Sequence, residues 1–211
     1  MPITGHGWEF HVQRLGMHRR GDEVRTYGSY QVLIEGAPAP LRNGVPLAGF
    51  VCETEGPGRN HPENNGLRIE QGRYRLTTQF GKYVSIGYST DTQVAAKPHM
   101  PAIALTDTDK RTGILIHPGH PARAGDPPFA FLSSIGCFNL TAALQPPDDI
   151  EYFESRARVI ALIDSLAEFA PAAFHDNHGH AIKQNTVIPR AFAVVDGEPT
   201  TFLAPEEPVV G

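Results

Sequence analysis

The sequence predicts a mainly β fold, either a sandwich or a barrel-like sheet, with one long amphipathic helix packed on the sheet. Apolar and polar residues alternate in many short runs, as at 30–34, and this alternation is typical of strands with one buried face. Glycine (21 residues) and proline (19 residues) are frequent, which favours short strands joined by turns. A clear apolar stripe of helical period occurs at 148–170.

Predicted strands are spread along most of the chain. The segment 55–66 is rich in glycine, proline and asparagine, so we expect a surface connection there. Pro189 interrupts the last predicted strand, because proline cannot donate a ladder hydrogen bond. The predicted strands are 8–15, 23–35, 47–53, 67–79 with a turn at 71–72, 83–88, 103–106, 113–117 and 187–195.

The helix is predicted to run from 148 to 170. A pair of prolines ends the preceding structure, and Asp148 with Glu151 three residues later is similar to a capping box. The helix should pack its apolar side on the sheet and act as scaffold without a chemical role. Its polar side is expected to carry Glu151, Glu154, Ser155, Arg158, Ser165 and Glu168.

Length and composition limit the domain organisation and the partners. A chain of 211 residues with a 40% apolar share can form one globular domain with a proper core. We assign 1–170 to a single domain that includes the helix, and 171–211 to a C-terminal extension that packs on it and ends in a mobile tail. The net charge of −5 gives no basic surface for nucleic acid. Two cysteines do not form a disulfide framework.

The N-terminal sequence predicts no conventional signal peptide, because no basic segment is followed by an apolar core. A membrane span is not expected either, since a helix needs about 20 consecutive apolar residues to cross a bilayer. These expectations matter for any enzyme whose substrate lies outside the cytoplasm.

The chemistry is concentrated in the stretch 113–140. His117 ends a short apolar run that predicts a buried strand, and strand ends commonly present functional side chains. A loop rich in proline and glycine follows, and Cys137 comes directly after Gly136, 20 positions after His117.

Residues 134–139, Ser-Ile-Gly-Cys-Phe-Asn, resemble a motif of the L,D-transpeptidases of the YkuD type. That family has a histidine at a strand end and then Ser/Thr-His-Gly-Cys-x-Asn. Five of the six motif positions fit, and Ile135 stands where the family usually has a second histidine. A weaker similarity lies at 69–74, where the family's proline is missing. The resemblance covers about 69–141 and implies the YkuD-type fold.

The resemblance also implies roles for the residues of the motif. Cys137 would be the nucleophile and His117 its base, with the carbonyl of Pro118 orienting the imidazole ring. Backbone amides around Gly136 would hold a developing oxyanion, because glycine permits the conformation that this requires. The implied catalytic positions are His117, Pro118, Ile135, Gly136 and Cys137, and Ser134 and Asn139 are implied to brace the turn or bind substrate. His120 in the intervening loop is a further candidate for lining the substrate cleft, and the alternative for it is an exposed loop histidine without a role.

The implied reaction is acyl transfer on peptidoglycan stem peptides without a cofactor. The thiolate would attack the carbonyl on the L-centre of the third stem residue and expel the terminal D-alanine. The thioester would then pass to an amine of a neighbouring stem, to a free D-amino acid or to water. The expected location is periplasmic or secreted, by a route without a conventional signal peptide. We therefore expect an effector toxin of a contractile secretion apparatus or a phage-type enzyme, with an immunity protein or that apparatus as further partners.

Other interpretations stay open at this point. The departure at Ile135 also fits a noncatalytic wall-binding or structural module with the same fold. A cysteine peptidase of another type fits less well, because many such enzymes place the cysteine before the histidine. An isolated cysteine is more often a core residue, which is the expected role of Cys52.

A histidine-rich loop at His175, His178 and His180 is the remaining candidate for chemistry. Zinc could use two of these side chains, but a structural zinc site needs four protein ligands and no cysteine pair lies nearby in the sequence. We expect a polar loop there and no metal.

Overall fold

The computed structural model is mainly β with a single α-helix among the residues that it describes, which confirms the coarse fold class. The YkuD-type assignment stays a prediction. The described residues are 3–88, 100–119, 129–132, 134–142 and 149–202.

Thirteen strands are present in the described part of the chain. The predicted strands at 67–79 and 83–88 are shorter than expected. In the first, loop side chains hold the backbone at 67–70; for example, Leu67 N–H donates to Asn65 Oδ1 (2.9 Å). In the second, the chain turns at Ser85, whose N–H donates to Gln79 O (2.8 Å). The strands are β1 (Trp8–Arg20), β2 (Glu23–Ile34), β3 (Ala37–Pro38), β4 (Ala48–Thr54), β5 (Gly72–Thr78), β6 (Tyr83–Val84), β7 (Met100–Pro101), β8 (Ile103–Thr106), β9 (Leu115–Pro118), β10 (Phe129–Ala130), β11 (Phe138–Thr141), β12 (Ile150–Glu151) and β13 (Val187–Asp196).

Eight strands close into a barrel in the order β1-β13-β5-β8-β9-β11-β4-β2, and β2 pairs back with β1. The pairs β1–β13 and β9–β11 are parallel, and the other neighbours in the barrel are antiparallel. Strand β3 pairs in antiparallel fashion with the end of β2. Strands β6 and β7 form one small separate sheet, and β10 and β12 form another. Inward side chains such as Trp8, Phe10 and Val12 fill the core because they alternate with outward polar residues along the strand.

The assignment of 171–211 to an extension packed on the domain is wrong for the last strand. Strand β13 lies between β1 and β5 and is therefore a stave of the barrel. Its register shifts between Val187 and Phe192, around the predicted interruption at Pro189. The parallel partner of β13 is far away in the sequence and gives no local signal. Alternation therefore predicted the strand but not its position between β1 and β5.

The helix α1 spans Tyr152–Phe169, so its predicted start at 148 is wrong. Glu151 is the N-cap, and its carboxylate accepts hydrogen bonds from the backbone N–H groups of Phe153 (3.1 Å) and Glu154 (2.6 Å). Residues 150–151 form β12 instead of the first helical turn. Asp148, the predicted cap, lies outside the described residues.

Three residues of the predicted polar side of α1 are buried, so that part of the helix prediction is also wrong. Each has a polar partner that makes burial tolerable. Ser155 Oγ accepts from Gly119 N–H (2.9 Å), and Ser165 Oγ accepts from Trp8 Nε1 (3.0 Å). Arg158 donates to Tyr30 Oη (3.0 Å) and to a backbone carbonyl of β4. The helical period of the sequence cannot predict these hydrogen-bond partners, because they lie on distant segments of the chain.

Helix α1 packs against β9 and β11, the two strands that carry the motif residues. Within the described ranges, no helix is long and apolar enough to cross a membrane. Arg14 of β1 and Glu53 of β4 form a buried bidentate ion pair (2.7 and 2.8 Å). This pair holds the charge of Glu53 in a fixed place near the motif strands.

Candidate active site

His117 is the third of the four residues of β9, close to the end of the strand as predicted. Its ring is buried, and Nδ1 lies 2.8 Å from the carbonyl oxygen of Pro118. Because a carbonyl oxygen can only accept, Nδ1 carries the proton and Nε2 carries the lone pair in the neutral ring. The arrangement is the ring orientation that the sequence resemblance implied for Pro118.

Asn139 lies directly beside His117 in the parallel ladder of β9 and β11. Its amide Nδ2 donates to the backbone carbonyl of His117 (3.1 Å) and lies 3.3 Å from His117 Nδ1. Since both nitrogen atoms carry hydrogen, the second contact is not a hydrogen bond. Asn139 is only 1% exposed. It is therefore placed to brace the histidine strand, whereas a direct contact with a ligand would need the site to open.

Cys137 immediately precedes β11 and lies two residues before the level of His117 in the ladder, roughly 6–7 Å along the strand direction. Its Sγ atom accepts from Leu115 N–H (3.3 Å) and donates to Gly113 O (3.5 Å). The residue is half-buried. The predicted base and nucleophile therefore lie on adjacent strands, with Cys137 level with Leu115 at the start of β9 and His117 near its end.

The sulfur is a neutral thiol in this state. Burial raises the pKa of Cys137 to about 11, although the Leu115 N–H and the guanidinium of Arg111 act in the opposite direction, and the carboxylate of Glu53 raises it further. The raised pKa therefore favours the thiol over the thiolate at neutral pH. Burial also raises the pKa of Cys52 to about 12, which agrees with its predicted role as an inert core residue.

Tyr83 completes the surroundings of the two motif side chains. Its ring centroid lies 4.9 Å from that of His117. Burial raises the pKa of Tyr83 to about 12, and the nearby Cys137 adds to this effect. A neutral phenol thus borders both the base and the nucleophile. No sequence pattern marked Tyr83, because it is one of several aromatic residues in the predicted strands.

The turn 134–137 is held through its carbonyl groups. Ser134 Oγ donates to the backbone oxygen of Cys137 (3.0 Å), which is the bracing role that the motif implied. Gly136 has φ = 112°, a conformation that other residues rarely adopt. Ile135 is 76% exposed, and a Cβ on Gly66 would lie 3.6 Å from its Cγ2. An exposed apolar side chain therefore stands two residues before Cys137, where the resembled motif has a histidine.

The loop 55–66 forms one wall of this site and is more than the expected connection. Arg111 donates to Asn65 Oδ1 in the loop (2.5 Å) and contacts the carbonyl of Ile135 (3.5 Å), so it joins the loop to the turn before Cys137. His61 of the loop pairs with Asp109. No sequence pattern marked Arg111, since it follows Lys110 in a charged turn that predicts solvent exposure.

A polar groove of about 620 Å³ reaches the site at Gly113, the residue whose carbonyl accepts from the thiol. Its volume lies in the range of small-molecule and peptide sites. The lining is rich in hydroxyl, amide and charged groups: Thr77, Gln79, Thr106, Asp107, Thr108, Asp109, Arg111, Thr112 and Asn185.

Two sequence candidates are not part of this arrangement. His120 lies outside the described residues. The histidine-rich loop is held by Asp176, whose carboxylate accepts from the N–H groups of His178 and His180, both at 2.8 Å. Hydrogen bonds from the backbone of His180 in particular lower the pKa of Asp176. In the described part of the chain, no group of three or more metal-binding side chains could hold an ion.

Comparison with known proteins adds no family assignment: no family model, no curated protein and no solved structure matches the chain.

The geometry of Gly136 gives a first prediction. A Cβ at this position would lie 2.2 Å from the guanidinium of Arg111, in addition to the strain of a positive φ. We expect Gly136→Ala to lower the free energy of unfolding by roughly 2–4 kcal/mol and to displace the turn. The matched control is Gly44→Ala, where φ is also positive (77°) but no atom lies within 4 Å. That variant should lose only about 1 kcal/mol. Equal losses in urea unfolding would contradict the packing argument.

The raised pKa of Cys137 gives a second prediction. A thiol with a pKa of about 11 is protonated at neutral pH, so alkylation of the free protein by neutral iodoacetamide should be slow at pH 7 and rise towards pH 11. Peptide mapping by mass spectrometry assigns the modified cysteine, and Cys52 serves as the internal buried control. A midpoint below pH 8 at Cys137 would show that the sulfur is ionised by a contact that the structure lacks.

Proposed function

We propose that the protein is a cysteine acyltransferase acting on peptidoglycan stem peptides, with Cys137 as nucleophile and His117 as base. The observation that carries the proposal is the parallel pairing of β9 and β11. It supports the proposal because the Pro118-oriented imidazole and the sulfur belong to adjacent strands, two residues apart along the ladder. Both the sequence motif and this geometry support the choice of these two side chains.

The neutral thiol defines how the reaction begins. Nε2 of His117 carries the lone pair, so it can accept the thiol proton as the sulfur attacks the substrate carbonyl. A bond forms between Sγ and the carbonyl carbon, and the oxyanion is stabilised by backbone N–H groups of the Gly136 turn. The imidazolium then donates its proton to the leaving amine of D-alanine, which breaks the peptide bond and leaves a thioester. An amine, a D-amino acid or water resolves the thioester and regenerates the thiol.

The polar groove is the proposed binding site for the stem peptide. Its threonine hydroxyls and amides suit a peptide with few large apolar groups, and its carboxylates suit an amine on the substrate. The carboxylates of Asp107 and Asp109 now pair with Arg75 and His61 at exposed positions, where such pairs exchange at little cost. This chemistry leaves all three acceptors open: cross-linking, exchange and trimming.

A noncatalytic wall-binding module is the second candidate, and one observation favours it. The sulfur has a raised pKa and is already engaged by Leu115 N–H and Gly113 O. A half-buried, hydrogen-bonded thiol with a raised pKa fits a structural cysteine. The two candidates differ in whether Cys137 forms a thioester.

The proposed substrate also fixes the proposed location. Peptidoglycan lies outside the cytoplasmic membrane, so the protein would act in the periplasm or after secretion. We propose that it does so as an effector that modifies the wall of a target cell.

The third prediction tests the reaction. Purified protein incubated with defined muropeptides should release D-alanine or form exchanged or cross-linked products, which mass spectrometry separates by mass. We expect Cys137→Ala to abolish all products and His117→Gln to reduce the rate by at least about 10²-fold, because a general base typically contributes this much.

Cys52→Ala is the matched control for the loss of a thiol, since Cys52 is buried on β4 opposite Asn139 and its sulfur has no role in the proposed chemistry. It should retain the product pattern. Binding of muropeptides that is equal in the native protein and in Cys137→Ala, with no product from either, would favour the noncatalytic module.

The fourth prediction tests the proposed location. Directed to the periplasm of a bacterial host, the protein should slow growth and change the muropeptide profile, whereas the same chain retained in the cytoplasm should do neither. Periplasmic Cys137→Ala is the control for effects of secretion itself. Identical profiles from the active and the substituted protein would rule out wall modification in that host.

A further inference from the structure

Arg111 occupies an unusual position for a residue in a charged turn between two strands. It is only 4% exposed. Its Nη1 donates to Asn65 Oδ1 (2.5 Å), Leu67 O (2.7 Å) and Arg59 O (3.3 Å). Three acceptors on one loop hold the guanidinium in a single orientation, so its second nitrogen, Nη2, is also fixed in space.

Nη2 lies against the backbone that precedes the nucleophile. It contacts the carbonyl oxygen of Ile135 (3.5 Å), and it would lie 2.2 Å from a Cβ on Gly136. Because the C=O and N–H of a trans peptide point in opposite directions, a contact at the carbonyl of Ile135 also sets the direction of the Gly136 N–H. That amide is one of the donors proposed for the oxyanion.

We propose that Arg111 is a positioning residue for the nucleophile turn: its buried guanidinium fixes the Ile135–Gly136 peptide and supplies a positive charge that stabilises the Cys137 thiolate. The catalytic meaning of this role rests on the proposed function. The electrostatic effect on the sulfur does not, since it concerns a thiol that is present with or without a substrate.

The other groups around the sulfur cannot replace this charge. Tyr83 is neutral below its raised pKa of about 12, and the carboxylate of Glu53 opposes ionisation of Cys137. Leu115 contributes an N–H dipole. In the proposed mechanism, His117 becomes an imidazolium only when it accepts the proton of the thiol. Arg111 is charged throughout this sequence, because a guanidinium keeps its proton in proteins.

The test compares the pH dependence of Cys137 alkylation by neutral iodoacetamide in the full-length native protein, Arg111→Met and Arg111→Lys. A nearby opposite charge shifts a pKa by one unit or more. Arg111→Met should therefore raise the alkylation midpoint and slow the reaction at pH 8 by about tenfold. Arg111→Lys keeps the charge and should recover most of the native rate, although it loses the forked hydrogen bonds.

Arg42→Met is the control for removing one positive charge, because Arg42 pairs with Glu168 on the surface and lies outside the proposed site. It should leave the midpoint unchanged. A role confined to packing would lower the melting temperature of both Arg111 variants and leave their midpoints at the native value, and that result would overturn the proposal.

If Arg111→Met does not fold, Asn65→Ala provides the second variant. It removes one anchor of the guanidinium and retains the charge, so a smaller upward shift of the midpoint is expected. No shift would overturn the proposal. Because alkylation requires no wall substrate, a failed muropeptide assay with a shifted midpoint would reject the proposed reaction alone, and the converse would reject the role of Arg111 alone.

Discussion

The parallel pairing of β9 and β11 is the constraint on which the candidate site depends. Two antiparallel strands could be joined by a short hairpin, but a parallel pair requires a long crossover, and residues 119–137 provide it here. The crossover brings the chain back in the same direction, so the histidine near the end of β9 and the cysteine before β11 have a fixed offset along the sheet. Ladder hydrogen bonds set this offset, and the loop sequence does not.

The same packing that fixes the site also opposes the ionised form of its nucleophile. Helix α1 packs against β9 and β11, and burial raises the pKa of Cys137 just before β11. A thiol that is neutral at rest does not react with stray electrophiles, and it can still transfer its proton to a base when a carbonyl carbon is held beside it. A proton transfer within the substrate complex reconciles the raised pKa with nucleophilic chemistry.

Much of the scaffold could be predicted from the sequence, because local patterns determine it. Alternation located β1, β2 and β4, and the apolar run before His117 located β9. The helix was found from its period, although its start was wrong: the carboxylate of Glu151 caps the helix itself. The buried positions of Ser155 and Ser165 could not be predicted, since their partners lie on distant segments. Barrel closure through β13 depends on non-local pairing for the same reason.

Within the candidate site, the motif could be predicted and its electrostatic surroundings could not. Ile135 stands where the motif that this turn resembles has a histidine, and its side chain is largely exposed. A histidine at a position that is 76% exposed would carry a charge that water screens strongly. Arg111 is buried against the same turn and is screened much less, so it acts more strongly on the sulfur from a distant place in the sequence. A histidine at position 135 would therefore stabilise the Cys137 thiolate less than its place next to Gly136 suggests. The positive charge that we propose for this role belongs to Arg111, in the turn between β8 and β9.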